Sequence, residues 1–555
     1  MRTFPIGPIL LALLTGLLYT LSLPNFDLPA LGWMALIPLH LAVHGQTPRR
    51  TFWIGWLAGT AAFAGSMFWV ITAMNLYGKV PLLVSVALML LLSAYLGLYM
   101  ALYVLALQYL KKEPPSPQPS PSSLVTRYCS QAALGAPFIW VALEWVRTYL
   151  FSGLPWSLLG YSQYTWLPVI QIADITAVYG VSFVLVLANA ALAEASLWMW
   201  ERARRKGEGT AAFPWAPVAT AIGVVALTLI YGYSQLSKYR DSNAQTTSQG
   251  RTLRVGVVQA NIDQSVKWDE RYRRATQEVY ARLTAQASAD ADLVIWPEAA
   301  TPFIFEREPE YREEIASLIR SRGTPLVLGS PAVGFYPNRK PYLMNSAYLL
   351  SHDGNILGRY SKRHLVPFGE YIPLHGSVLF FLDKLVEGIG DFEAGKEATI
   401  LSVPDKLPPS STNPQSPTPK PRFGIVICYE VIFPNEVRDF AARGADFMVT
   451  ITNDAWFGRS SAPYQHFGMV VLRAVENRVS FARAANTGIS GFIDPTGRIL
   501  EATPIFSEAT LTRTIPVSRT PTFYTNYGDV FAYACVIIAA ALLAVGMRRW
   551  GRGKH

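Results

Sequence analysis

The sequence predicts a polytopic α-helical membrane bundle of about eight spans joined to an α/β layered sandwich domain. Three observations predict it. Of 555 residues, 51% are hydrophobic and only 15% charged, where a water-soluble protein carries about 25% charge. The apolar residues are concentrated in 1–237 and 529–547. Residues 251–515 instead alternate strand-like apolar runs with helical stretches, as a layered globular domain does.

A helix of about 20 apolar residues crosses the hydrocarbon core of a bilayer. Spans are expected near 6–23, 28–44, 52–74, 81–110, 131–151, 167–200, 214–236 and 529–547. The first follows Arg2 and has no small-x-small cleavage pattern after it, so it reads as an uncleaved anchor rather than a signal peptide. Eight spans put both termini on one side. Arg2, Arg49, Arg50, Lys111, Lys112, Arg127, Arg202, Arg204, Arg205, Lys206, Arg548, Arg549, Arg552 and Lys554 then share one face. Cytoplasmic loops collect Lys and Arg, so that face is the cytoplasm and 251–515 lies on the other. The same arrangement explains the net charge of +10 without a nucleic-acid partner.

The division into domains is therefore 1–237 for seven spans, 251–515 for the extracytoplasmic domain and 529–547 for the eighth span. Two Pro/Ser-rich stretches, 113–123 and 404–421, read as linkers or surface excursions. Within the domain the strand candidates are 253–259, 292–296, 325–330, 344–350, 422–428, 446–452 and 479–484. Helix candidates are 270–287, 309–321, 434–443 and 463–478, and HDGN at 352–355 and DPTG at 494–497 read as hairpin turns.

Three motifs sit at strand ends, where α/β folds place their chemistry. WPEAA puts Glu298 after one strand, GRYSKRHLVPFGEYIP carries Lys362 and Glu370 eight residues apart, and ICYE puts Cys428, Tyr429 and Glu430 after another. Each has a bland reading alone: a capping acid, a surface lysine, a small buried hydrophobe. Together, in one chain order, they make a chemical set. Cys428 is the only cysteine of the globular region, since Cys129 and Cys535 lie beside or within apolar spans. It has no internal disulfide partner, which favours a reactive role.

These motifs resemble the nitrilase superfamily of carbon–nitrogen hydrolases. With the flanking helices, VQANIDQSVKWDE (holding Trp268) and NDAWFG at 453–458, the chain resembles the apolipoprotein N-acyltransferases of bacterial envelopes. The resemblance covers nearly the whole chain and departs from the family pattern at the two Pro/Ser-rich stretches. It implies a nitrilase-like α-β-β-α sandwich and a Glu298–Lys362–Cys428 triad. Glu370 would orient Lys362, and Tyr429 and Glu430 would shape the pocket. It implies a multi-pass protein of the bacterial inner membrane, with the catalytic domain periplasmic. The implied donor is a phospholipid, phosphatidylethanolamine being the family's usual one. The implied acceptor is the α-amine of a lipoprotein's N-terminal diacylglyceryl-cysteine.

The residues suit that chemistry. A free thiol ionises near about 8.5 and needs a base or a nearby cation at neutral pH. Glu298 can take its proton, and Lys362 can steady the thiolate and the oxyanion. A thioester intermediate gives ping-pong transfer. An α-amine, with pKa about 7.7–8.0, is partly neutral at neutral pH and can attack it. No cofactor is implied: the histidines show no metal-ligand spacing with cysteines, and no Gly-rich phosphate loop is present.

Two substrate-binding elements are expected. Trp268 is a candidate for lipid or acyl-chain contact, with core packing as the alternative. The apolar stretch 374–390, with Phe380 and Phe381, is a candidate lid that touches the bilayer, with a short core helix as the alternative. Two other functions compete. A tethered amidase would use water as acceptor, but a small soluble amide needs no membrane anchor. A transporter or receptor with a dead nitrilase-like domain would be expected to carry clustered charge in its spans. Only Glu144, Arg147, Asp174 and Glu194 stand out there.

Overall fold

The computed structural model describes residues 7–110, 124–204, 212–249, 251–371, 392–404, 420–517 and 519–552. The candidate lid 374–390, with Phe380 and Phe381, lies outside these residues, as do 113–123 and most of 404–421. The chain forms two compact units. One contains 1–68, 83–236 and 529–555; the other contains 69–82 and 237–528.

The first unit is helical. Among the described residues, four helices are long and apolar enough to span a membrane: Leu82–Leu110, Val178–Arg204, Trp215–Tyr239 and Val530–Trp550. Pro48–Ser66 and Trp69–Tyr77 make a fifth if counted as one span bent by 53°. The remaining expected spans take other forms. Pro8–Ser22 and Pro29–Ala42 are shorter apolar helices; the first, at 15 residues, is about 22 Å long against a hydrocarbon core of about 30 Å. Most of the expected span 131–151 falls in Leu124–Tyr149, which carries Arg147 in its last turn, and the span's last two residues lie in the 3-10 turn Leu150–Ser152. The expected span 167–200 is broken, because Leu167–Thr176 ends at Ala177, whose φ is 53°. Hydropathy reads the total apolar length but not such breaks.

Small residues let these helices approach closely, as membrane packing favours. A Cβ on Gly59 would come within 2.7 Å of the Gly97 Cα, so neither helix tolerates a side chain there. Tyr19, Leu36, Ala62, Tyr103, Trp140 and Leu185 meet in the unit's core. Three of the four polar exceptions have these internal partners: Glu144 accepts from the Leu159 N–H at 3.0 Å, the Arg147 guanidinium lies 4.8 Å from the Phe63 ring centroid, and Tyr231 donates to Asp174 at 2.9 Å.

The second unit holds two six-stranded sheets. The first contains β1 (Thr252–Gln259), β2 (Leu293–Ile295), β3 (Leu326–Phe335), β4 (Pro341–Leu350), β5 (Ile356–Ser361) and β12 (Ala509–Pro516), in the order β12-β1-β2-β3-β4-β5. The second contains β6 (Leu401–Ser402), β7 (Arg422–Ile427), β8 (Phe447–Thr452), β9 (Ser480–Ala485), β10 (Gly491–Ile493) and β11 (Ile499–Ala502), in the order β11-β10-β9-β8-β7-β6. Across the two sheets β1 lies against β9 and β4 against β7. Helix Arg273–Ala287 covers β1 and β12 from outside, and Pro434–Ala442 covers β7. The result is the expected α-β-β-α sandwich. β8 and β9 are buried at every residue, which is why they show no polar–apolar alternation; the one charged residue of β9, Arg483, is buried with them. HDGN and DPTG turn β4 into β5 and β10 into β11, with Gly354 and Gly497 at φ 86° and 82°.

Candidate active site

Parallel pairing of β1, β2 and β3, and of β7, β8 and β9, brings the ends of several strands together. Glu298 follows β2, Lys362 follows β5 and Cys428 follows β7. Cys428 opens a 3-10 turn, Cys428–Ile432, with φ at 52°. A side chain disfavours this left-handed backbone, so the surroundings must hold it.

Glu298 is 8% exposed and Lys362 is 1% exposed. The Glu298 carboxylate accepts from Asn345 Nδ2 at 2.6 Å and from the Asn453 N–H at 2.8 Å. Lys362 Nζ lies 3.8 Å from Glu298 Oε1 and 2.9 Å from Glu370 Oε2. Asn345 also donates to Glu370 at 2.8 Å, so one amide and one ammonium are shared by two carboxylates. Burial acts to lower the pKa of Lys362, but Glu370, Glu298 and Cys428 outweigh it and hold the amine charged, above the ordinary lysine range.

Cys428 is only partly covered as a residue. Burial is still the largest influence on its thiol and raises the pKa well above the usual range; Glu298 adds to the rise and Lys362 opposes it. The resting thiol is therefore protonated, and a nucleophilic attack must hand its proton to a base as it proceeds.

Glu430 is fully buried and braces the loops on both sides. Its carboxylate accepts from the Ile427 N–H at 2.7 Å, the Arg363 N–H at 2.6 Å, the His364 N–H at 3.2 Å and the Tyr360 hydroxyl at 2.7 Å. Burial pushes it up to about 7, against the pull of the Ile427 and Tyr360 donors. Glu430 thus ties the Cys428 turn to the Lys362 loop. Tyr429 is half-buried, with its ring edge-on to Phe433 at 5.2 Å, and burial raises its hydroxyl pKa. Trp268 is 50% exposed, so it is not a core residue.

Three further residues join this group. Asn345 sits on β4, where its side chain was indistinguishable in sequence from a solvent-facing strand residue. Asn453 lies in the noted NDAWFG stretch, but its working group is a backbone N–H, which no sequence pattern displays. Lys267 is 3% exposed, and its Nζ donates to the Glu298 carbonyl at 3.2 Å. In the sequence Lys267 stands beside Trp268 and two acids, and no motif marks it out. Its loop is pinned by Asn486, which accepts from the Ile262 N–H at 2.9 Å, and by Gln264, which accepts from Asn453 Nδ2 at 2.7 Å.

A protonated thiol at a strand end, a hydrogen-bonded carboxylate and a charged lysine form a set able to make and resolve an acyl-enzyme. The fold and this site define a carbon–nitrogen hydrolase domain: residues 254–523 match the Carbon-nitrogen hydrolase family. Residues 15–191 match the Apolipoprotein N-acyltransferase N-terminal domain family. The chain is 42% identical to an apolipoprotein N-acyltransferase of Geobacter metallireducens over 97% of its own length and 95% of the relative's. It is 31% identical to that of Chlorobaculum tepidum, covering 98% of this chain and 97% of the relative. A crystal structure of an amidase from Nesterenkonia sp. is similar at 21% identity, with a TM-score of 0.35, covering 51% of this chain and 95% of that one. The chain belongs to the apolipoprotein N-acyltransferase family and is a membrane-bound acyltransferase.

Proposed function

We propose that this enzyme moves an acyl chain from a phospholipid, phosphatidylethanolamine first among them, to the α-amine of an apolipoprotein's N-terminal diacylglyceryl-cysteine. The observation that carries the reading is one chain holding both the membrane helices and a partly covered Cys428 beside the Glu298–Lys362–Glu370 cluster. Cys428 Sγ attacks the ester carbonyl while Glu298 takes the thiol proton. Lys362 steadies the oxyanion. The tetrahedral intermediate collapses, the ester C–O bond breaks, and Glu298 returns the proton to the departing lysophospholipid alkoxide. The neutral α-amine then attacks the thioester, Glu298 accepts its proton, and the C–S bond breaks to give the amide and the thiol. Glu370 orients Lys362, to which it is hydrogen-bonded at 3.0 Å. Tyr429 and Glu430 shape the pocket, and the exposed Trp268 suits contact with an acyl chain. Phe380 and Phe381 keep their proposed place in a lid. In this reading 1–237 and 529–547 are the membrane part and 251–515 the catalytic domain, on the periplasmic face of the inner membrane.

The test is mass spectrometry of the Cys428 peptide after exposure to phosphatidylethanolamine alone. A long-chain acyl thioester is expected there, to be discharged by an N-terminal diacylglyceryl-cysteine peptide. Cys428→Ala and Cys428→Ser should each lower transfer by roughly 10³-fold or more, while Cys129→Ala and Cys535→Ala stay close to wild type. Discharge to free fatty acid at the same rate with and without the amine would favour an amidase and sink the transferase reading.

A further inference from the structure

We propose that His466, Asp454 and Arg483 form a buried positioning relay that holds the backbone of Cys428 in its left-handed conformation and couples it to Glu298. The proposal rests on the reading of Cys428 as nucleophile and Glu298 as base.

Such a backbone persists only where neighbours over-determine it. The Cys428 carbonyl oxygen faces His466 Nε2 at 3.1 Å. A carbonyl can only accept, so Nε2 carries the proton whether the ring is neutral or charged. The other ring nitrogen, Nδ1, lies 3.0 Å from Asp454 Oδ1 and 3.0 Å from Arg483 Nη2. Arg483 Nη2 donates to Asp454 Oδ2 at 2.8 Å, and its Nε donates to the Ile489 carbonyl at 3.1 Å. Thr452 Oγ1 donates to Asp454 Oδ1 at 2.8 Å. The Phe457 ring stands edge-on to His466 at 6.4 Å. His466, Asp454 and Arg483 are at most 1% exposed.

These groups come from three elements: Asp454 from the turn after β8, His466 from helix Ala462–Asn477 and Arg483 from β9. Each fixes the others, so the imidazole has little freedom to swing away from the Cys428 carbonyl. Buried charge is costly unless paired and directed, and apolar side chains would fill the same space more cheaply. A directed chain ending on the nucleophile's own peptide is therefore explained by orientation better than by packing. The relay also reaches the base. Asp454 follows Asn453, whose N–H donates to Glu298 Oε2 at 2.8 Å. One two-residue stretch thus holds the base directly and the nucleophile through His466. His466 touches neither substrate nor thiol in this scheme; it acts through the Cys428 backbone.

The experiment uses the full-length enzyme in lipid nanodiscs containing phosphatidylethanolamine. His466→Phe keeps a ring but removes the donor, and His466→Gln keeps a donor. His466→Phe should load acyl chain on Cys428 about 100-fold more slowly, the scale of a small misplacement of a reacting group, with KM for the lipid little changed. Alkylation of Cys428 by iodoacetamide should slow in parallel, and His466→Gln should recover about tenfold of the loss. A folded His466→Phe that loads at the wild-type rate overturns the relay, as does a His466→Gln equally slow at an unchanged melting temperature. If His466→Phe fails to fold, Asp454→Asn decides: slowed loading with unchanged KM supports the relay, and wild-type loading overturns it. Absence of any thioester on wild-type Cys428 would instead sink the proposed function, so the two failures are distinguishable.

Discussion

At the scale of single residues, Lys267 makes the site's electrostatics testable. Its ammonium is buried against the Glu298 carbonyl, and burial pulls its pKa from 10.5 down to about 8, with the Glu298 charge opposing. The sign follows from proton counting. Below about 8 the folded and unfolded chains both carry the charge, and the full cost of burying it is present. Between about 8 and 10.5 the unfolded chain binds more protons, so stability rises with pH until the cost is gone. The span amounts to about 3 kcal/mol as an order of magnitude. Lys267→Met removes the titration together with the hydrogen bond to the Glu298 carbonyl. Relative to wild type, its melting temperature should therefore be more favourable near neutral pH than near about pH 10. Thermal melts of both proteins in the same detergent would check this. An identical gap at the two pH values would mean that Lys267 carries no buried-charge cost.

At the scale of elements, the site depends on how closely β3 lies against the end of β2. A Cβ at Gly329 would meet the Pro297 carbonyl oxygen at 2.5 Å and the Glu298 Cα and Ala299 nitrogen at 2.8 Å. All three are backbone atoms and cannot yield as a side-chain tip can. Gly329→Ala should push Glu298 away from Lys362 and slow acyl loading roughly tenfold to 100-fold, with a cost of about 1–3 kcal/mol in stability. Wild-type loading by Gly329→Ala would mean that this contact does not fix Glu298. The strand ends themselves were legible. The apolar runs before Trp296 and Cys428 stop where the chemistry begins, and the observed β2 and β7 end one residue short of Trp296 and directly before Cys428. What surrounds them was not legible. Asn345 reaches both carboxylates only because β4 pairs between β3 and β5, a register that no local pattern displays. The strands β5, β6, β10, β11 and β12 also escaped prediction. β6, β10 and β11 have only two to four residues, too short for a period to show. β12 is an edge strand, paired on one side by β1.

At the scale of the whole molecule, apolar length was readable but helix continuity was not. The bend after Ser66 and the break at Ala177 lie inside runs that hydropathy sees as single spans. The topology proposal rests on the parity of eight crossings and on where Lys and Arg collect. Trp215–Gln249 precedes the first strand of the sandwich and Val530–Arg552 follows the last, so the domain enters the chain between two apolar helices. If the basic segments near Arg49, Lys111, Arg202 and Arg548 are cytoplasmic, the domain must be exposed on the opposite face. The test starts from a protein whose Cys129, Cys428 and Cys535 are all alanine. A cysteine at the exposed Glu310 should react with a membrane-impermeant maleimide in intact spheroplasts. A cysteine at Lys554 should react only after the membrane is permeabilised. Labelling of both positions in intact spheroplasts would mean an even number of crossings between them, and would sink the single span at 529–547. The reverse pattern, Lys554→Cys labelled and Glu310→Cys protected, would put the catalytic domain in the cytoplasm, away from the lipoproteins it is proposed to acylate.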